Sequence, residues 1–249
     1  MNKYRQLPFN IYGNNIFSQN GEDGILEYLC NSLKIENEGS WCLEFGAWDG
    51  KHLSNTFNLI KKGWNGVYIE GDSQRFNDLL ETTKSHPKII PILAFVESNR
   101  AAENSLNNIL SKTPLPNDFD LLSIDVDSID LDIWESLEIY NPKIVIIEIN
   151  SSVLPGILWR HGPVTPGNSF SSTISVAKQK KYTLVCHTGN LIFIRDDLLN
   201  SLNIEDRFIK YPELLFITDW ITRPRLTIKD IVHPFVPKFI FQLKKIFSN

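Results

Sequence analysis

The sequence is poor in cysteine, and Cys30, Cys42 and Cys186 are scattered with no CxxC spacing. That pattern excludes a zinc knuckle and a disulfide framework, and it fits a reducing compartment. No apolar run approaches the roughly 20 residues of a membrane-spanning helix. The opening MNKYRQLPFNIYG lacks the continuous apolar core of a secretory signal. A soluble, cytoplasmic protein is expected. Positive charge is not in excess either, with 25 Lys and Arg against 29 Asp and Glu, a formal net charge of -4. No nucleic-acid partner is expected, and any anionic ligand would need a local basic patch. Internal repeats and low-complexity segments are absent.

What is present is an ordinary globular composition, 42% hydrophobic and 22% charged over 249 residues, enough for one main domain with elaborations. Apolar runs rich in β-branched and aromatic residues recur at 41–47 (WCLEFGA), 66–71 (GVYIEG), 88–96 (KIIPILAFV), 119–127 (FDLLSIDVD) and 142–150 (PKIVIIEIN). Between most of them lie segments with apolar residues three and four apart, such as NTFNLIKKG and SQRFNDLLETTKS. Strands alternating with helices predict an α/β fold with a mostly parallel sheet and helices on both faces. Residues 170–182 read as a helix and 182–197 as two strands joined across Thr188-Gly189-Asn190, a C-terminal antiparallel hairpin. Ahead of the first strand, residues 20–34 have a helical apolar pattern with acids in the first turn.

Ligands of open α/β sheets bind outside the carboxyl ends of the strands. Those ends are acidic here: Glu44, Gly46 and Asp49 at the first strand, Glu70, Gly71 and Asp72 at the second, Asp125 and Asp127 at the fourth, Glu148 and Asn150 at the fifth. The turn in CLEFGAWDGKHLSN is Gly-x-x-x-Gly, not the G-x-G-x-x-G of a dinucleotide site. Asp49 would place negative charge where a pyrophosphate must meet backbone N–H groups. A cationic ligand that carries a ribose fits better. S-adenosylmethionine has a sulfonium and an ammonium and no phosphate, and Glu70 would take its ribose.

The segments SQNGEDGILEYL, LEFGAWDGKHLSNTFNLIKKGWNGVYIEGD, FDLLSIDVDSIDLDIWESL and GNLIFIRDDL together resemble class I S-adenosylmethionine-dependent methyltransferases of the FkbM-like branch. The resemblance runs from about residue 18 to 198. It divides the chain into an N-terminal arm (1–17), a methyltransferase domain (18–200) and a C-terminal extension (201–249). It implies a seven-stranded Rossmann-like sheet and methyl transfer, commonly to oxygens of sugars or other secondary metabolites. By position, Glu44, Gly46 and Asp49 would line the methionine end, Glu70 would hold the ribose hydroxyls, and Ala94 to Val96, with Phe95 among them, would border the adenine. Gln19 would reach the cofactor from the N-terminal side, and Asn55, Gly71, Asp72 and Asp125 complete the expected cofactor set. Trp48 departs from the smaller or polar residue usual in such a turn; it could stack on the cofactor or pack under residues 18–24.

The segment SIDVDSIDLDIW is not an EF-hand, because Asp130 occupies the glycine position and no glutamate closes the loop. Asp125 and Asp127 share a side of a strand end by period two, as do Glu148 and Asn150 on the next strand, whereas Asp130 and Asp132 suit a helix start. The first four make an oxygen-rich set suited to Mg²⁺ or Mn²⁺, which would orient an acceptor hydroxyl and lower its pKa. Without a metal, a base is needed, and Asp125, His161 and His187 are candidates, with Glu148 beside them. The loop 151–170 over this edge suits a lid, its Trp159 for a sugar face and Arg160 for an anionic substituent. Two rival readings remain: a glycosyltransferase using Asp125-Val126-Asp127 as a DxD motif, and a binding module without turnover. The basic, aromatic tail suggests an amphipathic helix over about 237–247, for packing on its own chain, a homodimer contact or a membrane surface.

Overall fold

The computed structural model describes residues 7–163 and 166–220. The expected tail helix lies outside the described residues. Seven strands form one sheet: β1 (Trp41–Phe45), β2 (Asn65–Glu70), β3 (Ile89–Leu93), β4 (Leu121–Ile124), β5 (Ile144–Glu148), β6 (Tyr182–His187) and β7 (Asn190–Arg195). The order is β3-β2-β1-β4-β5-β7-β6, with β7 antiparallel to both neighbours and the other pairings parallel. The sheet is therefore Rossmann-like, mostly parallel, and ends in an antiparallel hairpin.

Strand order reverses at β1, between β2 and β4, which is where such sheets leave a crevice. The strands are buried on both faces, and alternate residues feed two cores. Leu43, Phe45, Val67 and Ile69 pack with α4 (Leu106–Leu110), α5 (Asp130–Ser136) and α6 (Phe170–Gln179). Cys42 and Tyr68 pack with α1 (Glu22–Ser32), α2 (Phe57–Lys61) and Leu79 of α3 (Ser73–Ser85). Fully buried Trp134 anchors one layer and Trp64 the other. Each such ring removes roughly 150–250 Å² from water.

Asp72 caps α3 by accepting from Gln74 N–H and Arg75 N–H. Ser169 caps α6 by accepting from Ser172 N–H. The N-terminal segment folds onto α1, where Asp23 Oδ2 accepts from the N–H groups of Ile16, Phe17 and Ser18. It reaches the hairpin through Asn10 Nδ2, which donates to the His187 carbonyl at 2.9 Å. After β7 the described chain adds α7 (Asp206–Lys210), with Phe208 and Leu215 buried against the α4–α6 layer. Among the described residues no helix is long and apolar enough to cross a membrane.

Candidate active site

A cleft of about 470 Å³ opens at the carboxyl ends of β1, β2 and β4. Gly46 fixes its floor: at φ +75° a Cβ would lie 1.7 Å from the Asp125 carbonyl oxygen. Only glycine lets the ends of β1 and β4 approach so closely. Five non-glycine residues have positive φ among the described residues, and three of them, Trp48, Leu53 and Asp127, line this cleft. A bulky residue such as Trp48 in left-handed backbone is strained, and such strain collects at functional sites.

At the β2 end, Glu70 Oε2 accepts from Trp48 N–H at 2.7 Å and Oε1 accepts from Asp72 N–H at 2.8 Å. This buried carboxylate ties the first turn to the second and faces the cleft. Gly71, Asp72, Ala94, Phe95 and Val96 line the same end, with Phe95 72% exposed. Trp48 is also exposed, and its ring carries the Arg75 guanidinium 4.7 Å from the centroid. It lines the cleft and does not pack away under the N-terminal segment. Among the described residues Arg75 is the one lysine or arginine in the lining, against six carboxylates: Glu44, Glu70, Asp72, Asp125, Asp127 and Glu148.

Glu44 is buried on β1, where Oε2 accepts from Ser54 Oγ at 2.8 Å, Thr56 N–H at 3.1 Å and Thr56 Oγ1. Thr56 Oγ1 also meets the Tyr68 hydroxyl, so a buried chain of hydroxyls holds this carboxyl. Burial raises its pKa to about 7, against the pull of these donors. Asn55, in the same loop, donates to Ser123 Oγ on β4, and both line the cleft. Asp49 is placed elsewhere: its Oδ1 accepts from Lys51 N–H and His52 N–H, and it does not line the cleft. The acid expected at the methionine end closes its own turn, as a short carboxylate does when two free amides follow it.

Oxygens of Asp125, Asp127 and Glu148 lie within 4.8 Å of one another. Burial, then the charges of Asp130 and Asp127, push the Asp125 pKa up to about 7. Burial, then the charge of Asp125, push Glu148 to about 8. Asp130 stays out of this group and accepts from Val126 N–H and Ser128 N–H at the start of α5, as a helix-start acid should. Asn150, expected as a fourth ligand, spends its carboxamide on the following loop: Oδ1 accepts from Ser152 N–H and Nδ2 donates to the Pro166 carbonyl.

The two histidines expected as bases, His161 and His187, are not brought to the cleft. His161 lies off its lining, with Nδ1 accepting from Gly167 N–H. His187 is fully buried; Nδ1 accepts from Ile217 N–H at 2.9 Å, so the neutral ring donates from Nε2 to Ser151 Oγ. Burial holds its pKa down to about 3, which suits a core residue and not a base. Arg160 pairs with Asp132 and Glu135 of α5, and Trp159 lies with it on a separate shallow groove. Gln19 lines the cleft, as do Arg75, His52 and Ser123, which the sequence did not single out. Arg75 is signalled only by its place one turn into α3, directly after the acid-glycine end of β2.

No family model and no curated protein matches the sequence. Among solved structures, the chain is similar to M. capricolum TrmK in complex with S-adenosyl-homocysteine: 14% identity, 88% of this chain and 93% of that chain, TM-score 0.47. It is similar to a putative caffeoyl-CoA O-methyltransferase from Staphylococcus aureus at 15% identity, covering 73% of this chain and 85% of that one, TM-score 0.45. It is also similar to a SAM dependent methyltransferase from Aquifex aeolicus at 16% identity, covering 68% and 88% respectively, TM-score 0.42.

Proposed function

We propose that the chain is an S-adenosylmethionine-dependent methyltransferase that methylates a hydroxyl of a small, sugar-like acceptor. The observation that carries this reading is the lining of the cleft, with Glu70 at the end of β2, left-handed Gly46 at the end of β1, and carboxylates outnumbering the single Arg75. Such a surface attracts a cation and repels a diphosphate. In this reading Glu70 takes the ribose hydroxyls, Phe95 and Val96 border the base, and Glu44 and Asp125 face the methionine end. The bound cofactor supplies an electrophilic methyl group on a positive sulfur.

Asp125 is the base. It lies at the mouth between the two strands that open the cleft, and its carboxyl titrates near neutrality, where a general acid–base group works best. It takes the proton from the acceptor oxygen as that oxygen forms its new bond to carbon. In a metal-dependent form of the reaction, Asp125, Asp127 and Glu148 would hold Mg²⁺ or Mn²⁺, since three hard oxygen donors converge within 4.8 Å of one another. Such an ion would lower the pKa of an acceptor hydroxyl. This part of the reading stands or falls with a test of activity after chelation.

Calorimetric titration with S-adenosylhomocysteine, set against UDP, tests the cofactor assignment. Binding that weakens at least about tenfold in Glu70→Gln, with none for UDP, supports it. UDP binding with no S-adenosylhomocysteine binding rejects it in favour of a DxD-type glycosyltransferase.

A further inference from the structure

A second cavity, about 300 Å³, adjoins the cleft and shares Gln19, Asp125, Asp127 and Glu148 with it. Anything held there reaches the Asp125 carboxyl from the side opposite the β2 end. Its other walls come from five separated segments: Asn20 before α1, Ile149 to Ser152 after β5, Pro166 and Gly167 before α6, Gly189 and Asn190 at the hairpin turn, and Trp220. None of these walls is the Trp159-Arg160 pair that the sequence suggested for an acceptor.

The polar groups facing this space are partly uncommitted. Ser152 is 3% exposed and lines the cavity, and among the described residues its hydroxyl makes no hydrogen bond, only its N–H being spent on Asn150. The Trp220 indole N–H is buried and also has no partner among the described residues. The Asn20 backbone N–H is bound to Glu22, but its side-chain amide makes no hydrogen bond there. Buried polar groups in proteins are nearly always satisfied. A serine hydroxyl and an amide beside three carboxylates around one cavity therefore call for a ligand rich in hydroxyl groups.

Charge narrows the ligand further. Among the described residues the lining holds three carboxylates and no lysine, arginine or histidine. One divalent ion among these carboxylates would still leave a net negative wall. An acceptor bearing phosphate or carboxylate would meet repulsion with no compensating donor of positive charge. Trp220 packs close to the hairpin turn, its Cδ2 3.7 Å from where a Gly189 Cβ would be, and forms part of the cavity wall. Aromatic faces bind the C–H side of a pyranose while amides and carboxylates take its hydroxyls.

We propose that this second cavity is the acceptor subsite and that it takes an uncharged pyranoside, seated against Trp220 and excluding phosphorylated and carboxylated sugars. The proposal rests on the methyltransferase reading, and its test separates the two. S-adenosylhomocysteine binding is measured first, so a failure there rejects the cofactor assignment alone. With the S-adenosylhomocysteine complex in hand, the indole N–H resonance of Trp220, identified by its loss in Trp220→Phe, is followed while neutral methyl pyranosides, glucose 6-phosphate and glucuronate are added. The expected result is a saturable shift with one or more neutral pyranosides and none with the two anionic sugars. Ser152→Ala should weaken that binding about tenfold while leaving S-adenosylhomocysteine affinity unchanged, and Asn20→Lys should admit glucose 6-phosphate. A shift with the anionic sugars in the native protein, or no shift with any neutral pyranoside, overturns the proposal. So does neutral-sugar binding that Ser152→Ala leaves intact.

Discussion

Where α1 meets the hairpin, Glu22 Oε1 accepts from Thr188 Oγ1 and Asn190 Nδ2, Glu22 Oε2 accepts from Asn20 N–H, and both nitrogens of His187 are hydrogen-bonded. Across Gln19, at the ends of β4 and β5, Asp125, Asp127 and Glu148 crowd one another around open space. The first group is polar structure: its partners are supplied by the fold. The second is a polar surface with no partner of opposite charge among the residues that form it, and burial with the neighbouring carboxylate charges raises the pKa values of Asp125 and Glu148. Burial alone does not separate the two, since His187 is more buried than Asp125. What separates them is whether the partners come from the chain or must come from outside it.

The sharpest break of this contrast is Gly46→Ala, which forces a Cβ into the Asp125 carbonyl at a left-handed position. The expected cost exceeds about 3 kcal/mol in chemical denaturation, because the strand ends themselves must part. Next comes His187→Phe, which strands Ile217 N–H and Ser151 Oγ and should cost about 2–3 kcal/mol. Folded His187→Phe should keep its affinity for S-adenosylhomocysteine. Asp125→Asn should do the reverse: no loss of stability, since it relieves repulsion, and a fall in turnover of about a hundredfold or more.

Two buried groups give opposite pH dependences. Glu44 has a folded pKa of about 7 against an ordinary 4.5. Between those values the folded state keeps a proton that the unfolded state has released, so its contribution to stability falls as pH rises through that window. Glu44→Gln should therefore raise stability by about 1–2 kcal/mol above pH ~7 and change little below pH ~4.5. His187, with a folded pKa of about 3 against 6.5, is the opposite case. Its unfolded form takes up a proton first, so stability is lost as pH falls from 6.5 toward 3, and His187→Phe should flatten that limb. The smallest effect belongs to Asp49→Asn, which keeps the turn cap and should change both stability and cofactor affinity by less than about 0.5 kcal/mol.

Much of this fold is legible in the sequence because the strands are buried on both faces and read as unbroken apolar runs, as IVIIE does in β5. The run KIIPILAFV reads two elements as one: β3 ends at Leu93, and Ala94 to Val96 are cleft wall. The acidic strand ends, Asp49 apart, gather at one edge because the carboxyl ends of parallel strands all lie on the same side of the sheet. Individual roles within the group were not legible. Asp49 and Glu70 look alike in sequence, and only the turn geometry shows that one spends its oxygens on its own backbone while the other spans two strands. Arg160 invited an anionic partner until α5 supplied Asp132 and Glu135. Asn20, Ser152, Asn190 and Trp220 meet only through the tertiary fold, so no local pattern marks them as one surface.

A crystal structure of the protein grown with S-adenosylhomocysteine tests the central claim most directly. The account predicts the ligand in the β1-β2-β4 cleft, its ribose hydroxyls on the Glu70 carboxylate, its adenine along Phe95 and Val96, and its sulfur facing Asp125. A ligand bound elsewhere, or one with its ribose away from Glu70, would contradict it.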